Sequence, residues 1–153
     1  MALQVIELKD GYALTGRTDS VDSGGKKAFL LKTDLYGKKL WERYGQNSSG
    51  LSLQQTDDGG FIIAGSMNSP ATGKDAMLIK TDPSGNEQWI MPLGGPGENI
   101  GTSVVESTDG GYVMTGITNS FGAGAEDAWV VKVGPENVTA ASGEVLGNTT
   151  SKR

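Results

Sequence analysis

The feature that most constrains this chain is a pattern that occurs three times, at a spacing of about 50 residues. Each copy opens with a glycine followed by an aromatic residue, at Gly11-Tyr12, Gly60-Phe61 and Gly111-Tyr112. A second glycine stands at the same place in each copy, at Gly16, Gly65 and Gly116. A repeat of this length predicts an array of similar small units, each of which buries its apolar surface against its neighbour.

The signals within each copy favour β-strands. Short segments rich in Val, Ile, Leu, Thr and aromatic residues are separated by Gly, Asp and Asn. Asp58-Gly59-Gly60 and Asp109-Gly110-Gly111 lie between two such segments, where a tight hairpin needs residues that tolerate positive φ. No apolar pattern with a period of about 3.6 residues runs long enough for a helix. We predict strands over 3–8, 12–18, 28–34, 38–44, 52–56, 61–67, 76–82, 87–92, 102–107, 112–118 and 128–133.

Four antiparallel strands repeated at this spacing are typical of a β-propeller blade. The segments 75–82, 85–89, 103–112 and 115–120 resemble the glycine-rich propeller repeats of large prokaryotic, notably archaeal, surface and secreted proteins. The resemblance implies an all-β fold of β-propeller-type repeats, with three four-stranded antiparallel blades and the third incomplete. It also implies a place at the cell surface or outside the cell.

A second resemblance concerns the end of each copy. The Asp-x-x-Gly-x-x-x-Trp segments at 34–41 and 82–89 resemble the tryptophan-docking segment of quinoprotein propellers, in which the aspartate and glycine are usually one residue further apart. The third copy lacks this segment. We therefore expect blades at about 3–50, 51–101 and 102–135, followed by a flexible polar tail over 136–153.

Three blades are fewer than a closed ring needs, because propellers typically close with about four to eight. An open stack would leave apolar faces and strand edges bare. The chain is therefore a fragment of a longer protein, one part of a ring made of several copies, or an open array; two chains would supply about six blades. The expected partners are further copies of the chain or further blades of a longer protein.

Two sets of repeated residues are expected to hold the blades together. Trp41 and Trp89 would fill the space between successive blades, and the loss of either ring would cost about 3–5 kcal/mol. Gly16, Gly65 and Gly116 lie mid-strand, where glycine is expected if another backbone or a large ring packs close.

Composition excludes several kinds of chemistry and of partner. The chain has no cysteine and no histidine, which rules out disulfides, zinc–thiolate sites and histidine-dependent triads. Its net charge is −5 and its main basic cluster is Lys26-Lys27 with Lys38-Lys39, which argues against nucleic acid and anionic membranes. No apolar run suits a transmembrane helix, and the N-terminus lacks the features of a signal peptide. A cytoplasmic location therefore stays open beside the extracellular one.

Charged residues recur at equivalent positions and could line a channel or a ligand mouth: Lys32, Lys80 and Lys132, with Asp75 and Asp127. The alternative, which we favour, is that the lysines are solvated or pair with neighbours such as Asp34 or Asp82.

No metal or cofactor site is expected. The loop 19–24 lacks the alternating oxygen ligands of a calcium site. The glycine-rich segments 94–97 and 122–124 lack the Lys-Ser/Thr pair and the helix that a phosphate-binding loop needs.

We therefore expect a non-enzymatic binding or structural module of a propeller scaffold, which presents polar loops to a protein or glycan partner. The alternative is a fragment of a propeller enzyme, a hydrolase or a quinoprotein-like protein, whose active site needs additional blades. The absence of histidine and cysteine, and of any residue cluster unique to one loop, favours the binding module.

Overall fold

A computed structural model describes residues 1–20, 25–45, 47–122, 125–135 and 144–145, and its secondary structure is built of β-strands. The prediction of an all-β protein is confirmed. None of the described segments contains a helix that could cross a membrane. The strands are β1 (Ala2–Leu8), β2 (Gly11–Ser20), β3 (Gly25–Thr33), β4 (Lys39–Tyr44), β5 (Ser48–Gln55), β6 (Phe61–Ser69), β7 (Gly73–Thr81), β8 (Glu87–Leu93), β9 (Gly97–Glu106), β10 (Tyr112–Thr118), β11 (Asp127–Val133) and β12 (Glu144–Val145).

Consecutive strands pair antiparallel in three groups of four. We call β1–β4 unit 1, β5–β8 unit 2 and β9–β12 unit 3. Unit 1 is a sheet of its own, whereas units 2 and 3 are joined by a short parallel pairing of Gly73 and Lys74 with Gly97 and Glu98. The result is one four-stranded antiparallel sheet and one eight-stranded mixed sheet, and the described residues do not close into a ring.

The fourth strand of unit 3 consists of two residues. Glu144 lies opposite Lys132 in the register of the sheet, at the place that Trp89 takes opposite Lys80 in unit 2. These two residues belong to the segment 136–153, for which the sequence predicts a flexible tail. The rest of that segment lies outside the described residues.

The three mid-strand glycines lie beside irregularities in the pairing of the first two strands of each unit. A Cβ at Gly65 would lie 1.9 Å from the carbonyl oxygen of Ser49, and one at Gly116 would lie 2.0 Å from that of Ile100. Gly16 is crowded in the same way by the backbone of Met1 and Ala2. Glycine is needed here because the irregular strand brings its own backbone against the neighbouring strand.

A hydrophobic core lies between each pair of successive units. The first lies between units 1 and 2 and contains Phe61 and Ile63 of β6, whereas the second lies between units 2 and 3 and contains Ile62 and Ala64 of the same strand. Because successive side chains of a strand point to opposite faces, β6 contributes to both cores. Unit 2 is therefore covered on both sides.

Equivalent contacts join the units. The indole of Trp41 meets Phe61 edge-on at 6.2 Å between ring centroids, and Trp89 lies 5.7 Å from Tyr112. Both tryptophans are half-buried and pack against the core that their unit shares with the next one.

The first strands of successive units are also tied by hydrogen bonds. The Leu53 amide donates to Oε1 of Gln4 at 2.5 Å, and the Val104 amide donates to Oγ of Ser52 at 3.2 Å. Gln4 and Ser52 occupy equivalent positions in the sheet register. The join between units 1 and 2 thus repeats between units 2 and 3.

Candidate functional site

Each of the three repeated lysines donates to an aspartate of its own unit. The aspartate lies in the hairpin turn between the first and second strands, and the lysine lies near the end of the third strand. The distance is 2.8 Å in every unit, for Lys32 to Asp10, Lys80 to Asp58 and Lys132 to Asp109. These ammonium groups are therefore engaged within their units.

The aspartates that the sequence suggested as partners have a different role. Oδ1 of Asp34 accepts two backbone amides of its own turn at 2.9 Å, and Oδ1 of Asp82 does the same in unit 2. The suggestion that Asp34 or Asp82 pairs with the lysines is wrong, because these carboxylates close the turns between the third and fourth strands.

Unit 2 holds the most buried of the lysine–aspartate pairs. Only 4% of Lys80 is exposed, and its Nζ donates to both carboxylate oxygens of Asp58 and to the carbonyl of Thr81. Burial raises the pKa of Asp58, but hydrogen bonds from Lys80 and Thr56 outweigh it and bring that pKa down to about 2. The pair holds the hairpin turn against the third strand.

The second glycine of the turn leaves room for this pair. A Cβ at Gly60 would lie 2.7 Å from Nζ of Lys80, and one at Gly111 would lie 2.5 Å from Nζ of Lys132. In unit 3, the hydrogen bond from Lys132 leads the contacts that hold the pKa of Asp109 well below its usual range. The recurrence of glycine and lysine in these two units therefore has a structural explanation.

Asp75 and Asp127 lie at the opposite end of the third strand from the lysines. Asp75 is 6% exposed and accepts a hydrogen bond from Oγ1 of Thr72 at 2.9 Å. Oδ2 of Asp127 is buried and has no partner among the described residues. Asp75 and Lys80 are separated by about 16 Å of extended strand, so the structure does not bring the predicted lysines and aspartates together. Their role in lining a channel stays a prediction.

A polar groove of about 300 Å³ lies where units 1 and 2 meet, at the end of the strands away from the lysine–aspartate turns. Its cations are Arg17 of β2, Lys26 of β3 and Lys74 of β7. The side chains of Asn47 and Asn68 line it as well, and the backbone amide of Asn68 donates to the carbonyl of Asn47 at 3.0 Å. Serine hydroxyls and two aliphatic side chains complete the described lining.

The electrostatics of this groove are opposite to those of the whole chain. Three cations line it, and no carboxylate is among its described lining residues, although the chain carries a net charge of −5. Acidic residues adjoin it: the carboxylate of Glu98 lies 3.7 Å from Nζ of Lys74, and Asp19 lies opposite Lys26 in the register of β2 and β3. Cations that converge in a concave site create a positive local potential that attracts anionic groups.

The structure describes two joints between units, and only the joint of units 1 and 2 has this excess of cations. At the joint of units 2 and 3, the equivalent positions lose two cations and gain two carboxylates: Ser66 replaces Arg17, Glu98 replaces Asn47 and Glu126 replaces Lys74. The groove is therefore not a consequence of the repeat.

A second cavity of about 220 Å³ lies between the same two units. Leu30 of β3 and Ile63 and Ile79 of unit 2 line it, and Phe29 is also among its lining residues. This cavity adjoins the first hydrophobic core, and its lining adds polar groups of both charge signs: Arg43, Tyr44, Thr81, Asn86 and Glu87. It therefore lacks the excess of one charge sign that the groove has.

Nowhere in the part of the chain that the structure describes do three or more acidic residues come close enough to hold a metal ion. Most of the loop 19–24, which the sequence analysis compared with a calcium site, lies outside the described residues.

Comparison with known proteins adds a distant relative. No family model matches the chain. The chain is 30% identical over 128 residues to the regulatory protein FlaEY of Caulobacter vibrioides. That match covers 71% of this chain but only 13% of the relative, so the chain corresponds to a small part of that protein's length.

Sequence reasoning missed the groove because it looked for charged residues that recur. Arg17, Lys26 and Lys74 come from three different strands, and Arg17 has no cationic counterpart in the other units. The signal that could have found the groove is departure from the repeat: a cation at a position where the other copies have Ser66 and Ile117.

Proposed function

We propose that this chain is a non-enzymatic binding module of propeller-type blades, and that the groove between units 1 and 2 binds the acidic group of a glycan. The observation that carries the proposal is the convergence of Arg17, Lys26 and Lys74 on one polar groove of an otherwise acidic protein. The repeated lysines, by contrast, are occupied by aspartates of their own turns.

Two features support a propeller-type arrangement of the units. Each unit is a meander of four consecutive antiparallel strands, which is the construction of a propeller blade. The first strands of neighbouring units lie side by side through the equivalent hydrogen bonds of Gln4 and Ser52. In a propeller, the corresponding strands surround the central axis.

The size and chemistry of the groove favour a glycan over a protein partner. A volume of about 300 Å³ is at the lower end of small-molecule sites, whereas a stable protein partner needs about 800 Å² of surface on each side. Asparagine amides and serine hydroxyls can match the hydroxyl groups of a sugar. The guanidinium of Arg17 can hold a carboxylate with two parallel hydrogen bonds.

The test is calorimetric titration of the chain with a disaccharide that ends in glucuronic acid, beside the same disaccharide ending in glucose. We expect binding of the acidic sugar only, weakened about tenfold by Arg17→Gln or Lys26→Gln, because each removes one charge-assisted hydrogen bond. Lys9→Gln is the control, since Lys9 is exposed in unit 1 and does not line the groove.

Equal binding of both sugars, or equal loss in the control variant, would contradict the groove as an acid-binding site. Turnover of a substrate in a panel of hydrolase and dehydrogenase assays, with metals and quinones added, would instead favour the enzyme alternative. Because the match to the Caulobacter protein covers 13% of that protein, the proposal concerns binding by this module and not the activity of a longer protein.

A further inference from the structure

One face of unit 1 is uncovered, although the equivalent face of the other two units is buried. Val5, Leu53 and Val104 occupy the same position in the sheet register of units 1, 2 and 3. Leu53 is 2% exposed and Val104 is 4% exposed, whereas Val5 is 57% exposed. The difference arises because a preceding unit packs on units 2 and 3, and no described residue packs on this side of unit 1.

The open face of unit 1 has the same composition as its covered counterparts. In unit 2, the corresponding positions form the half of the first core that meets unit 1, and all of them are buried: Leu53, Phe61, Ile63, Met77 and Ile79. In unit 1, the equivalent residues are all apolar or aromatic, and each is exposed or half-buried: Val5, Tyr12, Leu14, Phe29 and Leu31.

Unit 3 also has an open face, which is the one that in units 1 and 2 packs on the following unit. Unit 1 covers unit 2 with Ala13, Thr15, Ala28 and Leu30, and unit 2 covers unit 3 with Ile62, Ala64, Ala76 and Leu78. The equivalent residues of unit 3 keep the same small and aliphatic pattern: Val113, Thr115, Ala128 and Val130. The first and last are half-buried and the other two are exposed.

We propose that the open face of unit 3 in one copy of this chain packs on the open face of unit 1 in a second copy. Two such contacts join two chains head to tail at both ends. The occupant follows from an interface that the chain already contains twice, between units 1 and 2 and between units 2 and 3. This inference rests on the repeat of packing faces and is independent of the groove.

The contact between copies differs from the internal joints at one position. Trp41 and Trp89 lie opposite the lysine of their units and cover the aromatic residue of the next unit, but the residue at that register in unit 3 is Glu144. The joint between copies therefore lacks the aromatic contact of the inner joints. We expect an association that is weaker than the internal packing and that depends on protein concentration.

Light scattering after size-exclusion chromatography over a range of concentrations measures this association. The expected mass at high concentration is twice the 15.9 kDa of one chain. Val5→Lys and Ala128→Glu should each return the protein to one chain, since both sites are exposed in the single chain and the substitutions need not disturb its core. Leu35→Lys is the matched control, because Leu35 is 55% exposed in a turn outside both faces and should leave the dimer intact.

A mixture of the two disruptive variants gives the sharper result. In a head-to-tail pair, a Val5→Lys chain and an Ala128→Glu chain keep one unaltered interface between them, so an equimolar mixture should regain the mass of two chains. Glu144→Trp should lower the dissociation constant by about tenfold, by restoring the missing aromatic contact. A single-chain mass at every concentration would overturn the proposal, as would a dimer that survives both variants or variants that fail to complement each other.

Discussion

At the scale of single residues, Lys80 should depend most on its aspartate partner, because it is the most buried of the three repeated lysines. Only 4% of Lys80 is exposed, and in Asp58→Ala its ammonium would keep only the Thr81 carbonyl and Oε1 of Gln88 as acceptors. The substitution should therefore lower the free energy of unfolding by about 2 kcal/mol. Urea unfolding of the variant beside the parent protein measures the loss.

The equivalent pair of unit 1 is the natural control for that substitution. The side chain of Lys32 is 17% exposed and Asp10 is 66% exposed, so Lys32 can turn to water when Asp10→Ala removes its partner. A clearly smaller loss is expected. Equal losses in the two units would show that burial of the lysine does not decide the energy of the pair.

The same pairs predict how stability depends on pH. The folded pKa of Asp58 is about 2, below its ordinary value of 3.8, so the folded chain binds fewer protons than the unfolded chain between these values. Stability from this carboxylate is therefore complete above about pH 4 and is lost as the pH falls towards 2. Asp109 shifts in the same direction. Calorimetry should show a fall in Tm over this window that is smaller in Asp58→Asn.

Residue types could be predicted at this scale, but their partners could not. The lysines and the hairpin aspartates are both visible in the sequence, yet Asp34 and Asp82 stand closer to Lys32 and Lys80 along the chain than their partners Asp10 and Asp58 do. Pairing follows from the antiparallel return of the second strand, which brings the hairpin turn beside the end of the third. Such a contact spans more than 20 residues, as for Lys80 and Asp58.

At the scale of elements, the tryptophan strands β4 and β8 decide how the units join. Trp89→Ala should destabilise the fold by about 2 kcal/mol, less than the 3–5 kcal/mol typical of a fully buried ring, because the indole is half-buried. Trp89→Phe keeps a ring against Tyr112 and should lose less than half of that. Thermal melts of both variants check the order, and an unchanged melt for Trp89→Ala would remove Trp89 from the joint.

Strand positions were largely predictable because the alternation of apolar residues and the Gly and Asp turns are local signals. Each of the eleven predicted strands overlaps one of β1–β11. β12 was missed because two residues, Glu144 and Val145, carry no pattern, and only the register beside β11 makes them a strand. At Gly65, the sequence predicts only that another backbone or ring packs close. The irregular pairing itself depends on the neighbouring strand and has no local signal.

At the scale of the whole molecule, the repeat explains the architecture, and departures from it explain the candidate site. A core forms on each side of unit 2 because its sheet has two apolar faces. The repeat of about 50 residues in the sequence predicts this packing of successive units. The groove follows from Arg17, which breaks the repeat, and its meeting with Lys26 and with Lys74 of the next unit depends on how two sheets pack. Packing of this kind has no signature in a single strand.

Because β6 contributes side chains to both cores, we predict that the three units unfold together. Ile62 is fully buried in the core with unit 3, and its neighbour Ile63 is 3% exposed in the core with unit 1. Ile62→Ala and Ile63→Ala should each cost about 2–4 kcal/mol and shift the same single transition, because either cavity weakens unit 2 and thereby both joints. Chemical unfolding followed by tryptophan fluorescence, which reports on Trp41 at one joint and on Trp89 and Trp129 at the other, tests this directly. Two separate transitions, each moved by only one of the variants, would mean that the joints are energetically independent and that unit 2 does not couple them.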